Sequence, residues 1–572
     1  MVLSWLTLSF ESPHPKSRLW RFSAKRMIII LIFFGFMLAA LISRLGFLQI
    51  FNKDFLNAQG NARILRTVTI PSYRGLITDR RGIPLAVSTP VNSIWVEPND
   101  FHPTAHQLAK LSHYLDLPQL DIMTKVKQMS HRNFVYLKRA LAPDIAESIE
   151  KLDIPGVHTL REFRRYYPAG PVTAQLVGFT NIDDQGQAGI ELAFEDHLKP
   201  IAGKKRVLED RMRRWIQDVD FIRASTQGRD LALSIDLRIQ TLAYNALEAQ
   251  IEKLNAKSAT LVMMDVQTGE VLAMGSVPSF NPNDYQDRQG QAVKNKALTD
   301  QIEPGSTVKA ISMASLLEYG EFNSEDEIDT YPGYYYLDHH IVRDVRNFGK
   351  LRLDQILVKS SNVGLSKLIT QRPSEELLDT FNKFGLGVEG TDIFPGEMTG
   401  SLPSPTRNPF MLSTYSFGYG LTTTPLQLAH AYATLASKGY KKPISLIKIS
   451  NHQRPNGEQI ISEKTAESVI KMLTNVMDSQ GTGKKGNIKG YKTAGKTGTT
   501  RLVGEKGYDA DRHNAMFVGF TPVDNPRLAT MILIEEPKES GSMYYGGMSA
   551  APVYADVVKG ALHILNVVPD NA

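Results

Sequence analysis

The chain of 572 residues contains no cysteine, which excludes disulfides, thiolate metal sites and lipoprotein acylation. It also contains no H-E-x-x-H motif, no internal repeat and no low-complexity segment. The net charge of +6 is modest for this length, and the basic residues are spread along the chain apart from one N-terminal cluster. We therefore predict no nucleic-acid partner. Hydrophobic residues make up 42% of the chain, which is enough for a sizeable core.

Two histidine pairs are the only candidates for a metal site that the sequence offers. His102 and His106 are four residues apart, and His339 and His340 are adjacent. Neither pair belongs to a metal-binding motif such as H-E-x-x-H. We predict no metal site and no cofactor.

The N-terminal region has the pattern of a membrane anchor. A basic cluster precedes the uncharged run Met27 to Ile42, and the apolar stretch continues to Phe51. About 20 such residues cross a bilayer. A cleaved signal peptide is the alternative, but its apolar region is usually shorter and no convincing A-x-A site follows here. We predict a cytoplasmic tail over residues 1–26 and a transmembrane anchor over 27–50. The basic cluster keeps the N-terminus in the cytoplasm, so the remainder lies outside it.

The composition changes near residue 226, which divides the rest of the chain into two predicted domains. Residues 51–225 mix short strand-like runs, such as 65–70, with helix-like stretches and two turn-rich segments, 74–86 and 164–191. We interpret Arg74, Asp79 and Arg165 in these segments as structural ion-pairing residues. A surface that binds a partner protein is the alternative. Since no residue here resembles a catalytic one, we predict a non-catalytic pedestal domain.

Residues 226–572 predict a catalytic domain of the α/β class, more narrowly α+β. GRDLALSID (228–236) has the alternation of a strand, and residues 237–254 have the spacing of an amphipathic helix. The remaining predicted elements are a β-hairpin over 258–277, strands over 515–522 and 527–537, and a closing helix over 550–566. Strands at both ends of the segment and helices in its middle favour one mostly antiparallel sheet covered by helices.

Three short motifs carry the chemistry. The first is Ser306-x-x-Lys309, which follows a Pro-Gly turn at the predicted start of a helix. A serine hydroxyl needs a neighbouring base to become a nucleophile, and a lysine whose pKa is depressed can be that base. The second motif is Ser360-x-Asn362, and the third is Lys496-Thr497-Gly498-Thr499. Each motif alone also fits a helix cap or a solvated side chain, but their order and spacing are jointly specific for serine acyltransferases.

The third motif overlaps a second pattern, because Gly490 to Thr497 also fits the phosphate-binding loop G-x-x-x-x-G-K-[ST]. A genuine loop of that kind follows a buried strand and opens a helix. The preceding residues 480–489 are polar, and Gly498 and Thr499 are a poor helix start. An extracytoplasmic domain also has no ready supply of ATP, so the sequence favours the acyltransferase.

The motifs and their surroundings resemble the class B penicillin-binding proteins, and more closely the division-specific transpeptidases of Gram-negative bacteria, the FtsI type. RGLITDRRGIPLA is similar to the family's R-G-x-I-x-D-R-x-G-x-x-L-A, and residues 164–191 match its second pedestal motif. NKALTDQIEPGSTVK and YYGGMSAAPVY match segments that flank the family's active site. The run 416–437, which contains F-G-Y-G, is typical of the division type. The resemblance covers almost the whole chain.

The resemblance implies a role for each motif residue. Ser306 attacks the carbonyl between the two D-alanines of a stem peptide, and Lys309 takes its proton. Ser360 and Lys496 pass a proton to the departing D-alanine, and Asn362 holds a substrate amide and positions Lys309. The remaining assignments are the substrate-binding residues Thr497, Gly498 and Thr499, an oxyanion hole formed by the backbone N–H groups of Ser306 and Thr499, and a groove wall that includes Tyr419 and Tyr544, whose alternative role is core or surface packing.

The resemblance also implies partners and a location. β-Lactam antibiotics are expected to trap Ser306, because they mimic the D-alanine pair. A SEDS-type, FtsW-like glycan polymerase and divisome activators are the expected protein partners, and the expected location is the inner membrane. Three alternatives stay open: an elongation-type transpeptidase, a β-lactamase or β-lactam sensor, and a catalytically silent divisome scaffold. A lactamase of class A uses a glutamate to activate water, and no matching motif is present.

Overall fold

The computed structural model describes residues 24–209, 215–320, 322–388, 390–504, 507–538 and 544–570. Most of the predicted cytoplasmic tail, residues 1–23, lies outside the described residues. The described chain forms two compact units. One contains the residues up to Ile70 together with Gly203–Ala224, and the other contains Pro71–Ala202 together with Ser225 onwards.

The elements are numbered along the described chain. The helices are α1 (Ala24–Gly46), α2 (Lys53–Ile64), α3 (Ala105–Leu115), α4 (Gln119–Gln128), α5 (Pro143–Glu150), α6 (Ala174–Val177), α7 (Gly189–Ala193), α8 (Glu195–Leu198), α9 (Leu237–Leu254), α10 (Lys296–Thr299), α11 (Lys309–Tyr319), α12 (Leu353–Lys359), α13 (Asn362–Ile369), α14 (Ser374–Lys383), α15 (Pro409–Ser416), α16 (Pro425–Ala436), α17 (Glu463–Asn475) and α18 (Gly546–Ile564). The strands are β1 (Leu65–Ile70), β2 (Ile77–Thr78), β3 (Pro84–Val96), β4 (Val135–Leu141), β5 (Val157–Tyr166), β6 (Gly203–Glu209), β7 (Trp215–Arg223), β8 (Leu231–Ala232), β9 (Ser258–Asp265), β10 (Val271–Val277), β11 (Glu327–Asp329), β12 (Tyr334–Leu337), β13 (His340–Arg343), β14 (Lys350–Arg352), β15 (Tyr440–Lys441), β16 (Glu458–Gln459), β17 (Ala494–Gly504), β18 (Gly507–Thr521) and β19 (Leu528–Glu535).

The first unit contains the apolar helix that the sequence predicts. The helical segment Lys25–Phe51, which is α1 and the π-helical turn that follows it, is long and apolar enough to cross a membrane. Its apolar side chains are exposed all around, with Phe36 76% exposed, as expected for a helix that is solvated by lipid. Strands β1, β6 and β7 complete the unit as an antiparallel sheet in the order β1-β6-β7.

The second unit begins with a small sheet that is held by buried charges. Strands β4-β3-β2-β8 form this sheet, and β5 also pairs with β3. Arg74 and Arg165 both place their Nε atoms 2.6 Å from a carboxylate oxygen of Glu191, and all three side chains are almost fully buried. The predicted ion pairing is therefore present for both arginines. The carboxylate of Asp79 instead accepts backbone N–H groups, including those of Arg81 and Ile83, and so it holds a turn.

The part of the second unit that the sequence predicts to be catalytic is built around an antiparallel sheet in the order β10-β9-β19-β18-β17. Side chains of one parity, such as Met531 in β19, lie in a core with α11 and α16, whereas those of the other parity, such as Ile532, lie in a core with α9 and α18. Because both faces are covered, the central strands are continuous apolar runs and not alternating ones. The predicted sheet sandwiched by helices is confirmed.

One predicted strand is much shorter in the structure. Within residues 228–236, only Leu231–Ala232 forms strand β8, which pairs with β2 in parallel. Beyond it, the N–H of Leu233 still bonds to Thr78, but that of Ser234 bonds to Leu446, so the ladder ends. Alternation of apolar residues predicts an extended chain, but it does not predict a single partner strand.

Candidate active site

Ser306 lies in a tight turn that leads directly into the helix predicted to begin there. Gly305–Thr307 form one turn of 3-10 helix, and α11 begins at Lys309. The turn is tied to its surroundings by a bond from the N–H of Gly305 to the carbonyl of Gly418 (3.0 Å) and one from the hydroxyl of Tyr432 to the carbonyl of Thr307 (2.7 Å). Gly305 has φ +52°, and a Cβ there would lie 2.4 Å from the Thr500 methyl. Glycine is therefore needed at this position.

Lys309, the first residue of α11, is fully buried beside the Ser360-x-Asn362 motif. Its Nζ lies 2.7 Å from the Ser360 carbonyl oxygen, 2.6 Å from Asn362 Oδ1 and 3.3 Å from Ser360 Oγ. Burial lowers the pKa of Lys309 to about 7, and the nearby charge of Asp344 opposes that shift. Within the described residues, its hydrogen bonds go to Ser360 and Asn362 and not to Ser306.

Ser360 lies between two lysines. Its hydroxyl oxygen is 3.3 Å from Lys309 Nζ and 3.0 Å from Lys496 Nζ. Ser360 has φ +56° at the end of α12, a left-handed conformation that turns the chain sharply into α13. Lys496 is also fully buried, and its pKa is lowered well below the ordinary lysine value by burial and by the positive charge of Lys309. The described structure therefore contains two buried lysines bridged by one hydroxyl, and neither forms a salt bridge there.

The third motif lies on β17, the edge strand of the five-stranded sheet. A Cβ on Gly498 would lie 2.8 Å from the Thr307 methyl, so the strand and the serine turn are packed against each other. Thr497 Oγ1 donates to the hydroxyl of Thr482 (2.9 Å), and Thr499 Oγ1 accepts the N–H of Gly546 at the start of α18 (3.2 Å). Because the motif runs through a strand and no helix follows it, the phosphate-loop alternative is wrong.

Asp344 is a site residue that the sequence analysis missed. Its Oδ1 accepts the backbone N–H groups of Asn362 (2.6 Å) and Val363 (3.0 Å), and its Oδ2 accepts the hydroxyl proton of Ser361 (2.6 Å). Asp344 therefore fixes the start of α13 and, with it, the amide that contacts Lys309. No motif includes this residue, because the chain returns to Asn362 only after strand β14 and helix α12. The only sequence signal for it is that an acidic residue, Asp344, follows Arg343.

Two cavities adjoin Thr499. One, of about 660 Å³, is lined by Tyr419, Arg501, Arg512 and Tyr544 among others, so it contains both tyrosines that the sequence suggested as groove residues. The other, of about 440 Å³, is lined by Thr497 and by the glycine-rich segments around Gly481 and Gly546. Thr499 and Tyr545 line both cavities.

The predicted site residues are thus brought together from three distant segments. A serine in a rigid turn, a buried lysine of lowered pKa and a hydroxyl–lysine pair beside an edge strand are the parts of a serine acyltransferase. The fold and site together define the class of the penicillin-binding transpeptidases.

Comparison with known proteins identifies the family. Residues 259–559 match the penicillin binding protein transpeptidase domain, and residues 69–233 match the penicillin-binding protein dimerisation domain. The chain is 38% identical to "Peptidoglycan D,D-transpeptidase FtsI" of Escherichia coli (98% of this chain, 94% of the relative). It is 37% identical to "Probable peptidoglycan D,D-transpeptidase PenA" of Neisseria meningitidis (95% and 93%). The chain belongs to the class B penicillin-binding proteins of the FtsI type.

Solved structures agree with this assignment. The crystal structure of penicillin binding protein 3 from Mycobacterium tuberculosis, complexed with aztreonam, superposes with a TM-score of 0.68. It is 25% identical and covers 88% of this chain and 98% of its own. The predicted fold class and family are therefore confirmed.

Proposed function

We propose that the chain cross-links peptidoglycan at the division septum as a serine D,D-transpeptidase and is a target of β-lactam antibiotics. Peptidoglycan D,D-transpeptidase activity is what its relatives are named for. The observation that carries the proposal is the Ser360 hydroxyl between two buried lysines, beside the turn that contains Ser306. This arrangement suits proton transfer during acylation of a serine.

In the proposed acylation step, Lys309 acts as the base. A neutral amine has two N–H bonds and one lone pair, and the Ser360 carbonyl and Asn362 Oδ1 accept the two N–H bonds at 2.7 and 2.6 Å. The lone pair is then free to take the Ser306 proton as Oγ bonds to the carbonyl carbon between the two D-alanines. A pKa of about 7 keeps a large fraction of Lys309 neutral at physiological pH.

The leaving group then needs a proton. The C–N bond to the terminal D-alanine breaks as its nitrogen gains the proton that Ser360 relays from the lysine pair. We assign the Thr497 and Thr499 hydroxyls to the terminal carboxylate, with Gly498 allowing close approach of strand and turn. Lys496 lies next to them, and an arriving carboxylate raises its depressed pKa and so favours its charged form. The backbone N–H groups of Ser306 and Thr499 stabilise the oxyanion.

The second half-reaction forms the cross-link. An amine of a neighbouring stem peptide attacks the ester carbonyl, its nitrogen loses a proton, and the bond to Ser306 Oγ breaks as that oxygen regains one. The substrate of the enzyme is therefore a pair of stem peptides. Neither step requires a cofactor or a metal ion.

The N-terminal helix and the FtsI relatives support a single-pass protein of the inner membrane. We propose that residues 1–26 are cytoplasmic, that residues 27–50 are the anchor, that residues 51–225 form the pedestal and that residues 226–572 form the periplasmic catalytic domain. The described part of the chain has one candidate membrane span. A cross-linking enzyme also needs glycan strands, which another enzyme must polymerise. A SEDS-type, FtsW-like polymerase and divisome activators are its proposed partners.

Intact-protein mass spectrometry of the full-length protein in detergent, after exposure to a penicillin, tests the enzymatic proposal. We expect a one-equivalent adduct that persists for hours, maps to Ser306 and is absent in Ser306→Ala. Ser468→Ala, on the exposed face of α17, is the matched control and retains the adduct. An adduct that disappears within seconds while the drug is consumed would indicate a β-lactamase. No adduct on folded protein would leave only the scaffold.

Depletion in the native bacterium tests the septal role separately. Filamentous cells are expected for a division enzyme. Round cells would identify an elongation-type transpeptidase instead.

A further inference from the structure

The two cavities at Thr499 have different relations to the reacting bond. Under the proposed function, the terminal carboxylate of the donor peptide lies at Thr497 and Thr499 and its scissile carbonyl lies at Ser306. The body of the donor then runs along the free edge of β17 towards Arg501, which lines the larger cavity. The smaller cavity is lined by Thr497 and does not include Arg501. It lies beyond the C-terminal end of the donor.

The chemistry of the second half-reaction decides what reaches this smaller cavity. Aminolysis of the ester is the reverse of the attack that expels D-alanine, with a different amine in place of D-alanine. By microscopic reversibility, the incoming nitrogen takes the place of the nitrogen that has left. The acceptor therefore enters from the side on which the terminal D-alanine was bound, which is the side of Thr497.

The wall of the smaller cavity carries two basic side chains. Lys484 and Lys485 lie on its wall in a short 3-10 turn, both are exposed, and neither forms a salt bridge within the described part of the chain. Gly481, Gly546 and Gly547 also line it, and a Cβ on Gly547 would lie 2.4 Å from the Thr482 carbonyl oxygen, so the start of α18 is packed closely against that segment. No acidic residue lines the cavity.

We propose that this cavity is the binding site for the acceptor stem peptide. Its ligand is the amine of an α-amino acid, so the carbon that bears the amine also bears a carboxylate. That carboxylate takes the place of the D-alanine carboxylate at Thr497 and Thr499. A further carboxylate on the same chain pairs with Lys484 or Lys485. The inference rests on the proposed function. It adds the place and charge of the second substrate.

The test measures how the acyl-enzyme partitions between water and an added amine. Full-length protein in detergent is acylated by an N-acyl-D-alanyl thioester, and three acceptors are compared: D-alanine, D-2-aminoadipate with an anionic end, and D-lysine with a cationic end. In the double variant Lys484→Glu/Lys485→Glu, we expect aminolysis by D-2-aminoadipate to fall about fivefold relative to hydrolysis, because two exposed charges are reversed. Aminolysis by D-alanine is expected to change less than about twofold, and that by D-lysine to rise.

The acylation rate and a control variant distinguish failure of the acceptor-site proposal from failure of the proposed function. Lys464→Glu/Lys471→Glu makes the same charge change on the exposed face of α17 and should leave all three acceptors unaffected. If the double variant at 484 and 485 acylates normally but treats the three acceptors as the wild type does, the acceptor site is elsewhere. An equal loss for all three acceptors would also overturn the proposal, since it would indicate a general change of the site. If wild-type protein is not acylated at all, the proposed function itself fails.

Discussion

Two pairs of buried cations, one in the pedestal segment and one in the active site, differ in their salt bridges and in the direction of their pKa shifts. Arg74 and Arg165 share the carboxylate of Glu191, and Arg74 also lies 2.7 Å from Glu195. Burial lowers the pKa of Arg74, but the two carboxylates raise it by more, so the net pKa lies above its ordinary value. Lys309 and Lys496 are buried to the same degree, form no salt bridge in the described structure and have lowered pKa values.

The comparison shows that a carboxylate partner, and not burial alone, determines whether a buried cation has a structural role or can take part in proton transfer. A buried cation with a carboxylate remains charged and holds two segments together. A buried cation whose neighbours are hydroxyls, carbonyls and another cation becomes a proton acceptor. Four predictions test this contrast.

The largest effect is expected for Lys309→Met, which keeps the apolar stem and removes the base. The rate of acylation by a penicillin should fall about 10²- to 10⁴-fold, as for loss of a general base. Stopped-flow or time-resolved mass spectrometry measures this rate. Thermal stability should be retained, because the replaced group is a buried polar one without a salt bridge; a large loss of stability with intact acylation would reverse the assignment.

Glu191→Gln should have the opposite combination of effects, with lower stability and a retained acylation rate. It leaves buried Arg165 without a carboxylate and leaves Arg74 with Glu195 alone, so it is expected to destabilise the fold by about 3–5 kcal/mol. Thermal unfolding of the detergent-solubilised protein measures the loss. Acylation per folded molecule at low temperature should stay near the wild-type value, and a selective loss of acylation would show that the pedestal ion pairs act on the site.

The pH dependence of acylation should follow Lys309. Its pKa is lowered to about 7, so the neutral, reactive form dominates above that pH and is lost below it. Lowering the pH from about 8 to about 6 should slow acylation roughly tenfold. A pH–rate profile measures this, with unfolding followed in parallel. A rate that is flat across this range would show that the base titrates elsewhere.

Asp344→Asn is expected to have the smallest effect. The amide can keep the bonds to the start of α13 but removes the charge that raises the pKa of Lys309. The midpoint of the pH–rate profile should move to lower pH with little change in the plateau. Asp344→Ala removes the bonds as well and should lower the plateau about tenfold, since one charge-assisted hydrogen bond contributes about 1.5–3 kcal/mol. A profile unchanged in both variants would contradict the positioning role.

The sequence predicts the chemistry of the site better than its geometry. The three motifs predict Ser306, Lys309, Ser360 and Lys496 as site residues because acyl transfer needs these residue types, whatever the fold. The structure brings the last three into contact. The helix over 237–254 has the bounds of α9, because its apolar spacing and the capping Asp236 are local signals.

The remaining features depend on contacts between distant segments. Asp344 reaches Asn362 through the fold, and Thr482 meets Thr497 across 15 residues of irregular chain. The shortened strand β8 depends on Leu446, which no local pattern indicates. The 3-10 turn at Ser306 is held by Gly418 and Tyr432, more than 100 residues away. Sequence patterns do not contain such partners.

The position of β17 at the end of its sheet has a consequence for handling the protein. Within the described chain, its outer edge has no strand neighbour, and the residues from Arg501 to Gly504 are at least partly exposed. An exposed strand edge is a template for pairing with another copy, so it favours aggregation. Most proteins cover or break such an edge, whereas under the proposed function this one stays open for the donor peptide. An inhibitor that lies along β17 should therefore slow aggregation on heating, independently of any gain in the folding equilibrium.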